Sequence, residues 1–279
     1  MKSWTPKAEL YDFGRPFPAE KVVGLFSAFA EAEKRVKLRA LEPGCGTGRI
    51  LVPLARAFPH WQFVGIDASQ GSLQVCQARA SEAGLQNIRL LNGSIEECLP
   101  VDPVDIIIHS SVLHVMPNWQ NAMQELCSRL TDDGTFCLIG DYGDIYDAAL
   151  GRTSSSAIDV NLSRFWKAYI EIRKEVGAPG TEGSQIGCRW DLESSDPASW
   201  LEEHNFSERS RTQLEWAEQF SLGDLFRIVE ERCYSSMFTV QNENFDEIIT
   251  KLKARLSSLC IDAMSVSKHQ ALSRFYKCN

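Results

Sequence analysis

The sequence predicts an α/β fold: an open, mostly parallel sheet with helices on both faces. Three observations carry that prediction. Between residues 18 and 140, short apolar runs alternate five times with amphipathic stretches, a rhythm that needs parallel pairing through helical crossovers. The run Ile106-Ile107-Ile108 is unbroken, as a strand covered on both faces requires. Glycines 44, 46 and 48 crowd one strand-to-helix turn, where the backbone must bend sharply.

The elements follow in order. A helix from Pro18 to about Lys34 places proline in a first turn and carries Val22, Val23, Leu25, Phe26 and Phe29 on one face. Strands are expected at 38–41, 62–66, 88–91, 104–109 and 135–139. Helices are expected at 47–58, at 69–83 (stopped by Gly84), at 94–98 and at 119–130. Asp132-Asp133-Gly134 reads as a turn. Beyond Asp141 the rhythm breaks into Gly, Ser, Asp and Pro clusters. One helix is expected at 160–175, then a helix at 197–203, a strand at 210–215, helices at 221–232 and 245–259, and a strand at 271–277. Residues 141–195 read as an insertion over the ligand edge of the sheet.

Composition excludes several classes. The 279 residues suit one large domain, or one domain with a sizeable insertion. With 44% hydrophobic residues, wholesale disorder is excluded. A net charge of −8, from 29 Lys+Arg against 37 Asp+Glu, argues against a general nucleic-acid or membrane-surface binder. No apolar run reaches membrane-spanning length. The start lacks the apolar stretch of a secretory signal. Nine cysteines, an odd number with no C-x-x-C, point to reduced thiols in a cytoplasmic protein rather than disulfides or zinc.

The chemistry is expected just beyond the strand ends, where open α/β sheets bind ligands. Glu42-Pro43-Gly44-Cys45-Gly46-Thr47-Gly48 follows a strand and opens a helix. Its spacing is G-x-G-x-G, not the dinucleotide G-x-G-x-x-G. Glu42 would repel a pyrophosphate but attract an ammonium or sulfonium, which favours a cationic adenosyl ligand over NAD. Asp67 ends the second strand, 19 residues past Gly48, where a carboxylate can accept both hydroxyls of a ribose. Asn92 or Ser94 can reach an adenine amino group with Ile95 against the ring; alternatively Ser94 and Glu97 form a capping box. The fourth strand ends at His109-Ser110, where a cofactor's reacting group would sit.

Together these pieces resemble the class I S-adenosylmethionine-dependent methyltransferases. Gly65-Ile66-Asp67-Ala68-Ser69, Gly93-Ser94-Ile95-Glu96, Ser111-Val112-Leu113-His114 and Leu130 to Thr135 stand in that family's order. Tyr11-Asp12-Phe13-Gly14-Arg15-Pro16 and Glu231 to Phe238 resemble segments of its small-molecule group, the trans-aconitate and ubiquinone type. The resemblance implies a Rossmann-like, doubly wound, mostly parallel seven-stranded sheet with a helical lid insertion. It implies an N-terminal helical lid segment (1–35), a cofactor-binding core (36–140), a substrate lid (141–200) and a C-terminal part of the core (201–279). It implies S-adenosyl-L-methionine as cofactor. Gly44, Cys45, Gly46 and Gly48 would line the cofactor's methionine and ribose, Glu42 would face its ammonium, and Asp67 would hold the ribose. Ala68, Ser94 and Ile95 would enclose adenine, and His109 and Ser110 would present backbone carbonyls. Tyr11 and Arg15 would reach the cofactor carboxylate or the substrate.

Methyl transfer from a sulfonium is an in-line displacement that orientation alone can accelerate strongly. If a base is used, His114 is the candidate, with Asp141 and Tyr142 at the same edge. Arg164, Phe165, Trp166 and Tyr169, on the expected insertion helix, are substrate candidates or the core of that helix. The expected partner is a small molecule, with no nucleic acid, membrane or metal. A protein or RNA methyltransferase and a non-catalytic cofactor-binding scaffold are the alternatives.

Overall fold

The computed structural model describes residues 8–14, 16–32, 37–100, 102–110, 112–113, 116, 118–141, 160–178, 196–233, 237, 242–257 and 264–278. The chain divides into two compact units. The first comprises residues 1–140, 187–214 and 271–279, the second residues 141–186 and 215–270. The segment expected to complete the core, 201–279, is therefore shared between them.

In the first unit, β1 (Arg39–Pro43), β2 (Gln62–Asp67), β3 (Ile88–Asn92), β4 (Val104–Ser110) and β5 (Leu130–Asp141) alternate with α3 (Leu51–Ala57), α4 (Gln70–Glu82), α5 (Ile95–Cys98) and α6 (Trp119–Ser128). Two helices, α1 (Ala8–Gly14) and α2 (Ala19–Ala32), precede them. The sheet order is β3-β2-β1-β4-β5-β7-β6, where β6 is Phe206–Phe220 and β7 is Met264–Lys277. Neighbours from β3 through β5 pair in parallel. At the far side β7 runs antiparallel to β6: the Cys278 N–H donates to the Asn205 carbonyl and Arg274 donates to the Ser210 hydroxyl. The chain order reverses between β1 and β4, the position where such sheets leave a crevice beyond their carboxyl ends.

The core explains the pattern. Ile106, Ile107 and Ile108 are fully buried, so both faces of β4 are covered. Leu41, Ile66, Ile107 and Phe136 of the sheet pack with Trp119, Met123 and Leu126 of α6 and with Trp200 and Leu201. The last two lie on α8 (Pro197–Glu203), capped by Asp196 through the Ala198 and Ser199 N–H groups.

Three local expectations change. Helix α3 starts at Leu51 rather than near Thr47, because Gly44, Gly46 and Gly48 take φ of +68°, +54° and +76°, which a right-handed helix cannot continue. The Ser94–Glu97 capping box does not form; the Ser94 side chain makes no capping hydrogen bond, and only its carbonyl receives the Glu97 and Cys98 N–H groups. The turn at Asp132-Asp133-Gly134 is a bulge inside β5: Val104 faces Leu130 but Ile106 faces Thr135, so β5 gains three residues over β4 there. A β-carbon at Gly134 would stand 2.8 Å from the Thr131 carbonyl.

In the second unit, α7 (Val160–Glu175) packs on α10 (Asn242–Leu256), with Arg255 bridging Glu171 at 3.4 Å and Glu175 at 2.6 Å. Between them in sequence, α9 (Leu222–Glu230) opens with a capping box of Ser221 and Asp224. The unit also takes the 215–220 end of β6 and the 264–270 start of β7. Both strands are at least twice their expected length. Strand β6 alternates half-buried with exposed residues, and none is fully buried between its ends, so its polar sequence carries little apolar period.

Candidate functional site

The site is built at the carboxyl ends of β1, β2 and β4. The loop after β1 turns at Cys45, whose carbonyl accepts from the Gly48 N–H at 2.9 Å, and its own N–H donates to the Ile66 carbonyl of β2 at 3.0 Å. A β-carbon at Gly44 would stand 2.5 Å from Val112, in the loop after β4. The two loops that flank the crevice thus touch, and only glycine fits at that contact. Gly65 is equally constrained, since a β-carbon there would meet Cys45 at 2.7 Å and Leu51 at 2.8 Å. Over Gly46 the space is open: apart from its chain neighbours, no atom of the described residues lies within 4 Å of a β-carbon placed there.

Asp67 ties these loops together. One carboxylate oxygen accepts from the Gly46 N–H and the other from the Ser69 N–H, both at 2.8 Å. Burial pushes its pKa up, and these two N–H groups pull it down. An ionised carboxylate has about four acceptor positions, so Asp67 keeps capacity for a hydroxyl pair. The Asn92 amide donates to the Asp67 and Ala68 carbonyls. Those bonds use its N–H donors and fix the side chain, so an adenine amino group would meet its Oδ1 or Ser94, which is half-buried. Ala68 is exposed and Ile95 buried beside these loop ends.

Glu42 is the unusual group. It is 4% exposed, and its Oε2 has no hydrogen-bond partner among the described residues. Burial pushes its pKa well up, with Cys76 and Asp67 adding to the rise; Arg49 and the Leu51 N–H pull the other way. A buried carboxyl oxygen without a partner is costly, and a cationic donor is what would satisfy it.

The ring of His109 has a structural task. Its Nε2 accepts from the Leu113 N–H at 3.3 Å, which folds the loop after β4 back on the strand. Its backbone and that of Ser110 end the strand at the crevice. The aromatic trio of α7 is in the second unit's interior: Phe165, Trp166 and Tyr169 are fully buried, with Phe165 edge-on to Trp166 at 5.2 Å and to Phe226 at 5.6 Å, and Trp166 to Tyr169 at 5.8 Å. Arg164 is exposed. His114, Tyr142 and Arg15 lie outside the described residues, as do the side chains of Tyr11 and Asp141.

Two contributors went unread in the sequence. Asp12 on α1 accepts from the Thr47 hydroxyl at 2.9 Å and from Arg79 at 2.5 Å. Arg79 also reaches the Thr47 carbonyl at 3.2 Å. This triad clamps the glycine loop from the helix side. The acid beside Tyr11 was visible, but nothing local joins it to an arginine 67 positions on.

Glycine loop, strand-end acids and sheet order are those of a Rossmann-like methyltransferase fold. Residues 34–155 match the family described as "Methyltransferase domain". The uncharacterized methyltransferase YcgJ of Bacillus subtilis is 30% identical over 147 residues, 51% of this chain and 56% of that protein. A tRNA (guanine-N(7)-)-methyltransferase of Rubrobacter xylanophilus is 37% identical over 83 residues, 30% of this chain and 36% of that protein. A ubiquinone biosynthesis O-methyltransferase of Maricaulis maris is 29% identical over 121 residues, 43% of each chain. The chain thus spans about half or less of these relatives. Among solved structures, YjhP of E. coli superposes with a TM-score of 0.55 at 13% identity, covering 98% of this chain and 100% of that one. A SAM-dependent methyltransferase of Geobacter sulfurreducens, crystallised with S-adenosyl-L-homocysteine, superposes with a TM-score of 0.51 at 14% identity, covering 96% and 98%. These likenesses establish the fold.

Proposed function

We propose that the chain binds S-adenosyl-L-methionine at the β1–β4 crevice and transfers its methyl group to an oxygen, nitrogen or carbon nucleophile of a small molecule. The observation that carries the cofactor is Glu42, a buried carboxyl beside a glycine loop with an oxygen that has no partner among the described residues. When bound, the cofactor supplies an electrophilic methyl on a positive sulfur.

The chain's own residues supply position and field. Glu42 accepts from the cofactor's ammonium, Asp67 holds a hydroxyl pair, and the open face of Gly46 lets the backbone approach. The carbonyls of His109 and Ser110 complete the amine's acceptors, and Ser94, Ala68 and Ile95 border the adenine. Holding nucleophile, methyl and sulfur in line can contribute about 7–11 kcal/mol. His114, Asp141 and Tyr142 follow the β4 and β5 ends in sequence and are the proposed proton acceptors, with Tyr11 and Arg15 reaching the cofactor carboxylate or the substrate. Arg164 is the exposed member of the proposed substrate set.

The net charge of −8 favours a small substrate over RNA, since phosphate binding draws on Lys and Arg. The relative named for ubiquinone biosynthesis fits that choice, whereas the tRNA methyltransferase relative favours RNA. No helix among the described residues is long and apolar enough to cross a membrane. The test is radiolabelled methyl transfer from the cofactor to a panel of phenols, carboxylic acids and amines, beside bulk tRNA. Label in a small molecule, lost with His114→Ala by about 10²-fold if that histidine is the base, supports the proposal. Label only in tRNA overturns the substrate class.

A further inference from the structure

A second cavity, of about 480 Å³, lies on the helix side of the glycine loop, within the usual range of small-molecule pockets, about 300–1,000 Å³. Its walls come from α3, α4 and the segment that joins α1 to α2. Among the described residues, Gly48 lines it, but Glu42, Gly44, Gly46, Asp67 and His109 do not. It is therefore separate from the β1–β4 crevice, and methyl transfer gives it no task.

The cavity concentrates guanidinium groups. Arg49 precedes α3, Arg56 is on α3 and Arg79 is on α4, and all three line it. Asp12 and Glu82 are the carboxylates of its lining, so the wall has one positive charge in excess while the chain has a net charge of −8. Phe17 supplies an apolar wall, with the Arg49 guanidinium 6.0 Å from its ring centre. Arg56 and Glu82 are exposed, which leaves the cavity open to solvent. Arg79 bonds Asp12 and the Thr47 carbonyl through Nη1 alone. Among the described residues, its other N–H donors, on Nη2 and Nε, remain for a ligand. Planar guanidinium forks match phosphate oxygens in pairs.

We propose that this cavity binds a phosphate-bearing small molecule through Arg49, Arg56 and Arg79, and that its occupation weakens the cofactor site on the other side of the glycine loop. The coupling rests on the assignment of the crevice to the adenosyl cofactor; the phosphate site does not.

Two of the arginines carry the coupling. Arg79 and Asp12 clamp the loop, because Asp12 also accepts from the Thr47 hydroxyl at 2.9 Å. Asp12 lines the same cavity, so an arriving phosphate repels its carboxylate and draws Arg79 away from it, which releases Thr47. Arg49 favours the ionised form of Glu42 against burial. A phosphate on Arg49 offsets that pull and leaves Glu42 a poorer acceptor for the cofactor's ammonium. Both routes have the same sign.

The full chain is titrated with pyrophosphate by calorimetry at fixed low ionic strength, since salt screens exposed charges. One site per chain is expected. Arg56→Ala should lower that affinity by at least about 10-fold, the loss of a charge-assisted hydrogen bond, and leave S-adenosylhomocysteine binding without pyrophosphate unchanged. Saturating pyrophosphate should weaken S-adenosylhomocysteine by about 5-fold or more, and the converse by the same factor, levelling off as coupling rather than competition requires. Amide exchange at residues 46–48 should quicken once pyrophosphate is bound. No heat with pyrophosphate, equal affinity in Arg56→Ala, unchanged amide exchange or binding of bulk tRNA in place of pyrophosphate would overturn the proposal. So would S-adenosylhomocysteine that binds the pyrophosphate-saturated chain as tightly as the free one. Failure of the free chain to bind S-adenosylhomocysteine counts against the cofactor assignment, while the pyrophosphate titration and the amide exchange still decide the site and its hold on the loop.

Discussion

Replacing Glu42 with Gln raises the stability of the cofactor-free protein at neutral pH relative to acid and weakens cofactor binding. The two effects have opposite signs because one buried carboxyl causes both. In the free protein its Oε2 is buried without a partner among the described residues, and burial raises its pKa well above the ordinary carboxylate range. A carboxyl whose folded pKa is raised contributes stability that is fully present below its unfolded pKa and is lost as pH rises toward the folded one. Gln has no such loss. The Gln variant, neutral at every pH, should lose less stability than the parent between acid and neutral pH, where the parent holds a carboxyl that burial keeps from ionising. Urea unfolding at pH 4 and pH 7.5 measures this. For S-adenosylmethionine the same change should cost about 1.5–3 kcal/mol, because a charge-assisted hydrogen bond to the ammonium is lost. A variant that loses as much stability as the parent from acid to neutral pH and keeps affinity would contradict the role given to Glu42.

Replacing Asp67 with Ala should damage the site twice. It removes the acceptor for a ribose, at about 1.5–3 kcal/mol of binding. It also frees the Gly46 and Ser69 N–H groups that the carboxylate now holds, loosening the loop and the first turn of α4. Calorimetry should find cofactor affinity lowered by about 10–10²-fold or more on that basis, and thermal unfolding should show a modest destabilisation. Unchanged affinity would remove Asp67 from the site and leave it a loop tie.

How much of this was legible in the sequence depended on range. The strands of the first unit were readable because Ile106 to Ile108 and the runs at 62–66 and 38–41 are buried on both faces. Gly44, Gly46, Gly48, Glu42 and Asp67 were readable because each chemistry sits at one strand end. The bonds from the Asn92 amide to the backbone of the neighbouring strand end were not legible, because spacing does not reveal such a pairing. Asp12 and Arg79 were missed for the same reason at longer range. The extra length of β6 was hidden by its half-exposed, polar sequence. The grouping of 215–270 with 141–186 rests on α7–α10 packing, which no local pattern encodes.

Binding of an adenosyl cofactor at the β1–β4 crevice is tested most directly by calorimetric titration of the reduced chain with S-adenosylhomocysteine, beside NAD. One site per chain for S-adenosylhomocysteine and none for NAD is expected, with a ligand at 100 times its dissociation constant stabilising the fold by about 2.7 kcal/mol. Binding of NAD at that site, or no heat and no thermal shift with S-adenosylhomocysteine, would contradict it.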